Sequence, residues 1–226
     1  MLLVSRYIRH MAKDTTCERF LQGVTAAVRK HYKKSMLARL TAHPEDRLTC
    51  SVILFSRLRR EIWMVGDCQG LATPLGSDHS PLTPHLLENP KPAEAELAAM
   101  RAAEVERLLA QGHTVEELCR NDIARPVIIP HMLETMQQQN ITYSVVDGFP
   151  IARRYVRILP LDFRPWEIVL ATDGYPTLLP TLAASEEALQ QQRAGDPLNI
   201  GRFQATKAFH PDNNSFDDRS YIRFSV

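Results

Sequence analysis

The chain has 226 residues, which is near the upper size of one domain, and its 44% hydrophobic and 23% charged residues are ordinary for a globular protein. The net charge of +1 gives no electrostatic basis for binding nucleic acid or an acidic membrane. No apolar run approaches the roughly 20 residues that span a bilayer. Four cysteines without metal-ligand spacing favour reduced thiols in the cytoplasm. We therefore predict a cytoplasmic, single-domain protein over residues 1–226, with neither nucleic acid nor membrane as a partner.

The N-terminal part of the chain predicts two helices. Apolar residues recur at helical spacing from Met1 to Met11, although no N-cap residue precedes them. Further on, Thr15 to Glu18 has the form of a capping box, with Thr15 as the N-cap. The apolar face that follows predicts an amphipathic helix, which should end before His43 because a proline comes next.

Two hairpins are predicted from strand-like runs on either side of turn signals. Leu48–Ser56 and Glu61–Val65 are rich in β-branched and aromatic residues and are joined by a short polar link. Ile141–Val146 and Phe149–Leu159 flank an Asp-Gly pair, which favours a tight turn. We therefore assign Asp147 to a turn and not to a binding site.

The rest of the chain predicts helices, two strands and one long loop. Residues 73 to 92 contain five prolines and are predicted to form an ordered, irregular loop. Ile168 to Ala171 is a short apolar run typical of a strand buried on both faces, and the last residues predict a closing strand. The predicted helices span Ala93–Gln111, Thr114–Cys119, Pro130–Gln139 and Pro180–Gln192, and the closing strand spans Tyr221–Val226.

Three aspartates stand beside strand-like runs and are the candidate functional residues. Asp67 ends the run that begins at Glu61, Asp173 ends the run that begins at Trp166, and Asp217 precedes the last strand. Carboxylates at strand ends suit hard divalent cations, which prefer oxygen ligands. Any one of these motifs alone is better explained as a turn or a cap. Three of them in one chain favour a metal site.

The order of these motifs resembles that of the metal-dependent protein phosphatases of the type 2C family. The motifs read Val65-Gly66-Asp67-Cys68, Ala171-Thr172-Asp173-Gly174-Tyr175 and Asp217-Asp218-Arg219-Ser220, and Ser77-Asp78-His79-Ser80 resembles a motif that often follows the first. The resemblance spans roughly residues 15 to 226. It implies an α+β fold with two mostly antiparallel β-sheets packed face to face and helices outside.

The resemblance also implies a function and a ligand set. Asp173 and Asp217 would be direct ligands of a pair of Mg²⁺ or Mn²⁺ ions, and Asp67 would support an additional, weaker ion. The expected activity is the hydrolysis of phosphoserine and phosphothreonine in protein substrates. Asp218 occupies a position often held by asparagine, and no counterpart of the family's phosphate-binding arginine is identifiable.

One departure from the family pattern leaves alternatives open. Nothing before Thr15 fits the family's first two metal motifs. Either the polypeptide lacks an N-terminal segment or the protein has lost that half of the site; a free-standing start at Met1 with a frayed first helix is the simpler alternative. A missing segment would leave a sheet edge exposed, which favours self-association. An inactive pseudophosphatase and a structural domain stabilised by a cation therefore remain as alternatives to an active phosphatase.

Overall fold

The computed structural model describes residues 2–226, so Met1 of the predicted first helix lies outside the described residues. The helices are α1 (Leu2–His10), α2 (Cys17–Arg29), α3 (Leu37–Ala42), α4 (Glu94–Ala110), α5 (Val115–Arg120), α6 (Arg125–Met136) and α7 (Leu182–Gly195). The strands are β1 (Val52–Ser56), β2 (Glu61–Val65), β3 (Gln69–Pro74), β4 (His85–Glu88), β5 (Arg157–Pro160), β6 (Trp166–Ala171) and β7 (Tyr221–Ser225). Within residues 2–226 no helix is both long and apolar enough to cross a membrane.

The strands form two antiparallel sheets, so the fold is α+β. One sheet has the order β1-β2-β5 and the other the order β4-β3-β6-β7. The predicted first hairpin is confirmed, with Ser56 paired to Glu61 at its closed end. The first sheet is completed by β5, which pairs with β2 although many residues separate them in the chain.

The alternation of side chains along β2 shows why the sheets and helices form layers. Because successive strand residues point to opposite faces, Ile62 and Met64 face one way and Trp63 the other. Ile62 and Met64 pack with Ile168 of β6 in one buried cluster, so the two sheets lie face to face. Trp63 packs instead against Phe20 of α2, with ring centroids 5.7 Å apart. Thus α1 and α2 cover the outer face of the first sheet.

The predicted cap and length of the second helix were wrong. Thr16, and not Thr15, is the N-cap, because its hydroxyl accepts the backbone N–H of Arg19 at 3.3 Å. The helix ends at Arg29 and is followed by a short 3₁₀ turn and the separate helix α3. The helix stops here because residues 30–35 are mostly polar, so the apolar face of α2 does not continue through them.

The second predicted hairpin does not form. Val146 bridges to Cys50 beside β1, and the following strand pairs with β2 instead of folding back. The Asp-Gly pair does turn, with Gly148 at φ 83°. However, Asp147 is fully buried and forms an ion pair of 2.9 Å with Arg47, so the turn is held by a long-range contact.

Two strands, β3 and β4, were not predicted from the sequence, and β4 lies within the predicted loop over residues 73–92. The preceding strand, β3, ends at Pro74, and β4 occupies the edge of the second sheet. The prolines are compatible with this arrangement because Pro74 is the last residue of β3 and the other four lie in the segments on either side of β4. Of the predicted helices, α4, α5 and α7 are confirmed within a few residues, whereas α6 begins at Arg125 and contains Pro130 in its interior.

Candidate metal centre

The turn after β2 places Asp67 between the two sheets. Gly66 adopts φ 84°, a conformation that L side chains rarely take, and a Cβ there would lie 2.1 Å from the hydroxyl of Ser51. The amide of Gly66 donates to the hydroxyl of Ser144 at 3.1 Å, which fixes the turn from the other side. Glycine is therefore required at this position to bring the chain from β2 into β3.

Asp173 and Asp217 come from neighbouring strands at the same end of the second sheet. Asp173 follows β6, and Asp217 precedes β7, which pairs with β6. The two segments are pressed together at Gly174, where a Cβ would lie 2.5 Å from the carbonyl oxygen of Asp218. This close approach explains the Asp-Gly sequence, since any larger side chain would push the two carboxylates apart.

The three predicted aspartates line one cavity of about 440 Å³. Glu94, in the first turn of α4, joins them: ligand oxygens of Asp67, Glu94 and Asp173 lie within 4.8 Å of one another. Asp217 lies on the same cavity beyond this trio. The three aspartates chosen from the sequence thus lie on one cavity, and their metal-binding role stays a prediction.

Asp67 is held in its ionised form by two donors. The hydroxyl of Ser51 donates to Oδ1, and the ammonium of Lys91 forms an ion pair with Oδ2. Partial burial favours the protonated form, but these two contacts outweigh it and hold the pKa of Asp67 below its usual value. Conversely, burial works against the charge on Lys91, while Asp67, Glu94 and Asp173 together raise its pKa above normal.

Asp173 experiences the opposite environment. Partial burial and then the negative charges of Asp67 and Asp217 raise the pKa of Asp173 to about 6. The pKa of Glu94 is raised for the same two reasons, burial first and then the charge of Asp67, although Lys91 opposes the shift. The cavity therefore concentrates negative charge that an additional cation would relieve.

Asp217 has its own cationic partner and its own backbone contacts. Lys207 Nζ lies 2.6 Å from Asp217 Oδ2, and the pair is about one third exposed. The backbone N–H of Asp218 donates to Asp217 Oδ1 at 2.8 Å. Asp218 itself contributes its carbonyl to the contact with Thr172, at 3.4 Å, and its carboxylate lines a neighbouring cavity.

One wall of the cavity, formed by residues 203–207, is supported by a buried arginine. Arg101 of α4 is fully buried and forms an ion pair of 2.7 Å with Asp122. Its guanidinium also donates to the carbonyl oxygens of Leu198 at 2.8 Å and Ala205 at 3.1 Å. This side chain therefore joins α4 to the loop that carries Lys207.

The carboxylate oxygens of the cavity come from the ends of rigid strands and of a helix, and oxygen ligands of this kind suit Mg²⁺ or Mn²⁺. Cys68 also lines the cavity, but burial raises its pKa to about 12, so its thiol stays protonated and is a poor nucleophile. Asp78, in the Ser77–Ser80 motif, accepts a hydrogen bond from the backbone N–H of Ser80 in an exposed turn, and it does not line the cavity.

Neither Lys91 nor Glu94 was predicted from the sequence. Lys91 lies just before α4, and Glu94 is the first residue of α4. No motif marks them, because a lysine between prolines and a glutamate in a first helical turn are ordinary in loops and helix starts. Comparison with protein-family models, with curated proteins and with solved structures found no match.

Proposed function

We propose that the cavity serves the metal-dependent hydrolysis of phosphoserine and phosphothreonine esters in proteins, in a domain like that of the type 2C phosphatases. The observation that supports this proposal is the convergence of Asp67, Asp173 and Asp217 on one cavity. These residues come from three separate strand ends, and each was selected by its sequence motif alone. Groups with perturbed pKa values tend to cluster at functional sites, and the pKa values of Asp67, Glu94 and Asp173 in this cavity are all shifted.

Five side chains of the cavity have roles in this proposal. Asp173 and Asp217 hold Mg²⁺ or Mn²⁺, and the backbone N–H of Asp218 fixes the direction of the Asp217 carboxylate. Such ions lower the pKa of a bound water and neutralise the charge of phosphoryl oxygens. The ammonium of Lys207 attracts the dianionic phosphate. Phe203 and Phe216, with ring centroids 5.5 Å apart, form an apolar wall for the side chains of a protein substrate.

A pseudophosphatase that binds partners without hydrolysis is the second candidate. One observation favours it: ammonium groups of Lys91 and Lys207 already neutralise Asp67 and Asp217. A metal ion at either aspartate has to compete with a covalently tethered cation. In this alternative the cavity does not assemble the metal pair, and the domain acts by binding a protein partner.

Hydrolysis and metal binding, measured on the same protein, separate the two candidates. The substrates are an aryl phosphate and a phosphothreonine peptide, each assayed with Mn²⁺, with Mg²⁺ and with a chelator. We expect slow turnover that requires the metal and falls by about a hundredfold or more in Asp173→Asn, because the ions supply both the nucleophile and the charge neutralisation. Asp212→Asn is the matched control, since the Asp212 side chain is 90% exposed and lies outside the cavity.

Three outcomes decide between the candidates. Metal-dependent turnover that is lost in Asp173→Asn and retained in Asp212→Asn supports the hydrolase. Phosphopeptide binding without turnover supports the pseudophosphatase. Turnover that is unaffected by the chelator or by Asp173→Asn contradicts the assignment of the cavity.

A further inference from the structure

The segment that carries Lys91 is fixed on both sides. Asn89 donates its side-chain amide to the carbonyl oxygens of Gly66 at 2.9 Å and Tyr155 at 3.1 Å. Prolines at positions 90 and 92 restrict the backbone on either side of the lysine. The carbonyl of Lys91 then accepts the N–H of Glu94 at 3.1 Å, at the start of α4. The lysine is therefore held by its neighbours, and it is not a freely moving surface residue.

The ammonium group lies among the same carboxylates that could hold an ion. Lys91 forms an ion pair with Asp67, whose side chain is only 9% exposed. Glu94 and Asp173 are close enough to act on the charge of Lys91 as well. These three are the residues whose ligand oxygens lie within 4.8 Å of one another.

We infer that the Lys91 ammonium is a built-in counter-cation that takes the place of a divalent ion at the Asp67–Glu94–Asp173 cluster. Consequently, Asp67 binds a lysine where the sequence analysis expects a weaker metal ion, and the cavity binds one divalent ion fewer than its carboxylates allow. The inference deepens the proposed function and rests on it only in treating the cavity as a cation site.

The second lysine of the cavity differs from Lys91 in two respects. The carboxylate of Asp217 is more exposed than that of Asp67, at 32% against 9%, so solvent and salt reach its ion pair more easily, although Lys207 itself is no more exposed than Lys91. Lys207 also lies in a loop without flanking prolines. An ion that competes for Asp217 therefore displaces Lys207 more readily than an ion at Asp67 displaces Lys91.

The test counts Mn²⁺ ions by calorimetry and by electron paramagnetic resonance in the full chain. Lys91→Met removes the charge but keeps a long side chain. It should bind one more Mn²⁺ than the wild type, or bind its weakest Mn²⁺ about tenfold more tightly, because a positive charge a few ångströms away is gone. Combining it with Asp67→Asn should remove the gain. Lys91→Arg should behave like the wild type, and Lys13→Met, at an exposed position, controls for net charge.

A stability measurement gives a readout that does not depend on turnover. In chelator, Lys91→Met should unfold at a lower temperature than the wild type, because Asp67 loses its partner. Added Mn²⁺ should raise the unfolding temperature of this variant by more than it raises that of the wild type. If Lys91→Met does not fold, the milder Lys91→Gln provides the same comparison.

The outcomes separate this inference from the proposed function. A gain in Lys91→Met that Asp67→Asn removes supports the inference, even where the wild type binds no ion and the proposed metal site fails. Equal Mn²⁺ binding by the wild type and Lys91→Met overturns the inference. If both proteins bind Mn²⁺ equally and Asp173→Asn abolishes that binding, the proposed metal site stands without the inference about Lys91.

Discussion

Replacing Asp173 by asparagine should stabilise the metal-free protein at neutral pH. The folded-state pKa of this carboxyl is about 6, whereas an aspartate in an unfolded chain titrates near its model value of 3.8. The folded protein therefore binds the proton more tightly than the unfolded chain. Ionised Asp173 costs stability above pH 6, and the cost disappears as the pH falls below about 4. The Asp173→Asn variant carries no charge at this position and so escapes the cost.

The size of the effect follows from the difference between the two pKa values. A difference of about two pH units corresponds to about 3 kcal/mol as an upper limit. Solvent at the mouth of the cavity screens the repulsion, so we expect a gain of about 1 kcal/mol. In a chain of this size that gain raises the unfolding temperature by about 2–4 °C.

The assay is unfolding of wild type and Asp173→Asn in chelator, at pH 7.5 and at pH 4. The variant should be more stable at pH 7.5, and the difference should shrink at pH 4. Added Mn²⁺ should reverse the order, because only the wild type gains the binding energy of the ion. Asp162→Asn is the control. Trp166 and Arg164 donate hydrogen bonds to Asp162 and hold its pKa below normal, so removing this carboxylate should not stabilise the protein. A destabilised Asp173→Asn at pH 7.5 in chelator would refute the repulsion.

Three further changes test the elements that position the site. Gly174→Ala should lower the free energy of unfolding by about 1–3 kcal/mol in a denaturant titration, since its Cβ would overlap a backbone carbonyl. In the control Gly195→Ala, at the end of α7, the added Cβ meets no other part of the fold within 4 Å, so the free energy of unfolding should not fall. Arg101→Met should cost about 3–5 kcal/mol and weaken Mn²⁺ binding, because it strands a buried carboxylate beside the cavity wall; wild-type stability would contradict this role. Arg219→Gln should lower the free energy of unfolding by about 1 kcal/mol. A double-mutant cycle with Glu186→Gln should assign most of that loss to the interaction between the two side chains, since their two contacts of 2.7 and 2.8 Å join α7 to the start of β7.

The sequence could predict those parts of the site whose residues belong to short, contiguous motifs. Asp67, Asp173 and Asp217 each follow or precede an apolar run, and the pairing of sheet strands then brings them together. The first hairpin and the helix α4 were predictable for the same reason, because their patterns are contiguous in the chain. The period of apolar residues and the capping residues carry this information.

The parts that sequence could not predict depend on contacts between distant segments. Lys91 becomes a cavity residue only because Asn89 ties its loop to Gly66 and Tyr155. The second hairpin does not form: its first segment bridges to Cys50 and its second pairs with β2, and Asp147 at the turn is paired with the distant Arg47. Neither contact leaves a periodic signal, since the partners lie far apart in the sequence.

Anomalous diffraction at the manganese edge, from crystals equilibrated with Mn²⁺, tests the central claim most directly. The account predicts an anomalous peak in the cavity within coordination distance of carboxylate oxygens of Asp173 and Asp217, with Lys207 moved from Asp217 and Lys91 still paired to Asp67. A cavity without a peak at saturating Mn²⁺, with both lysines still paired to their aspartates, would contradict it.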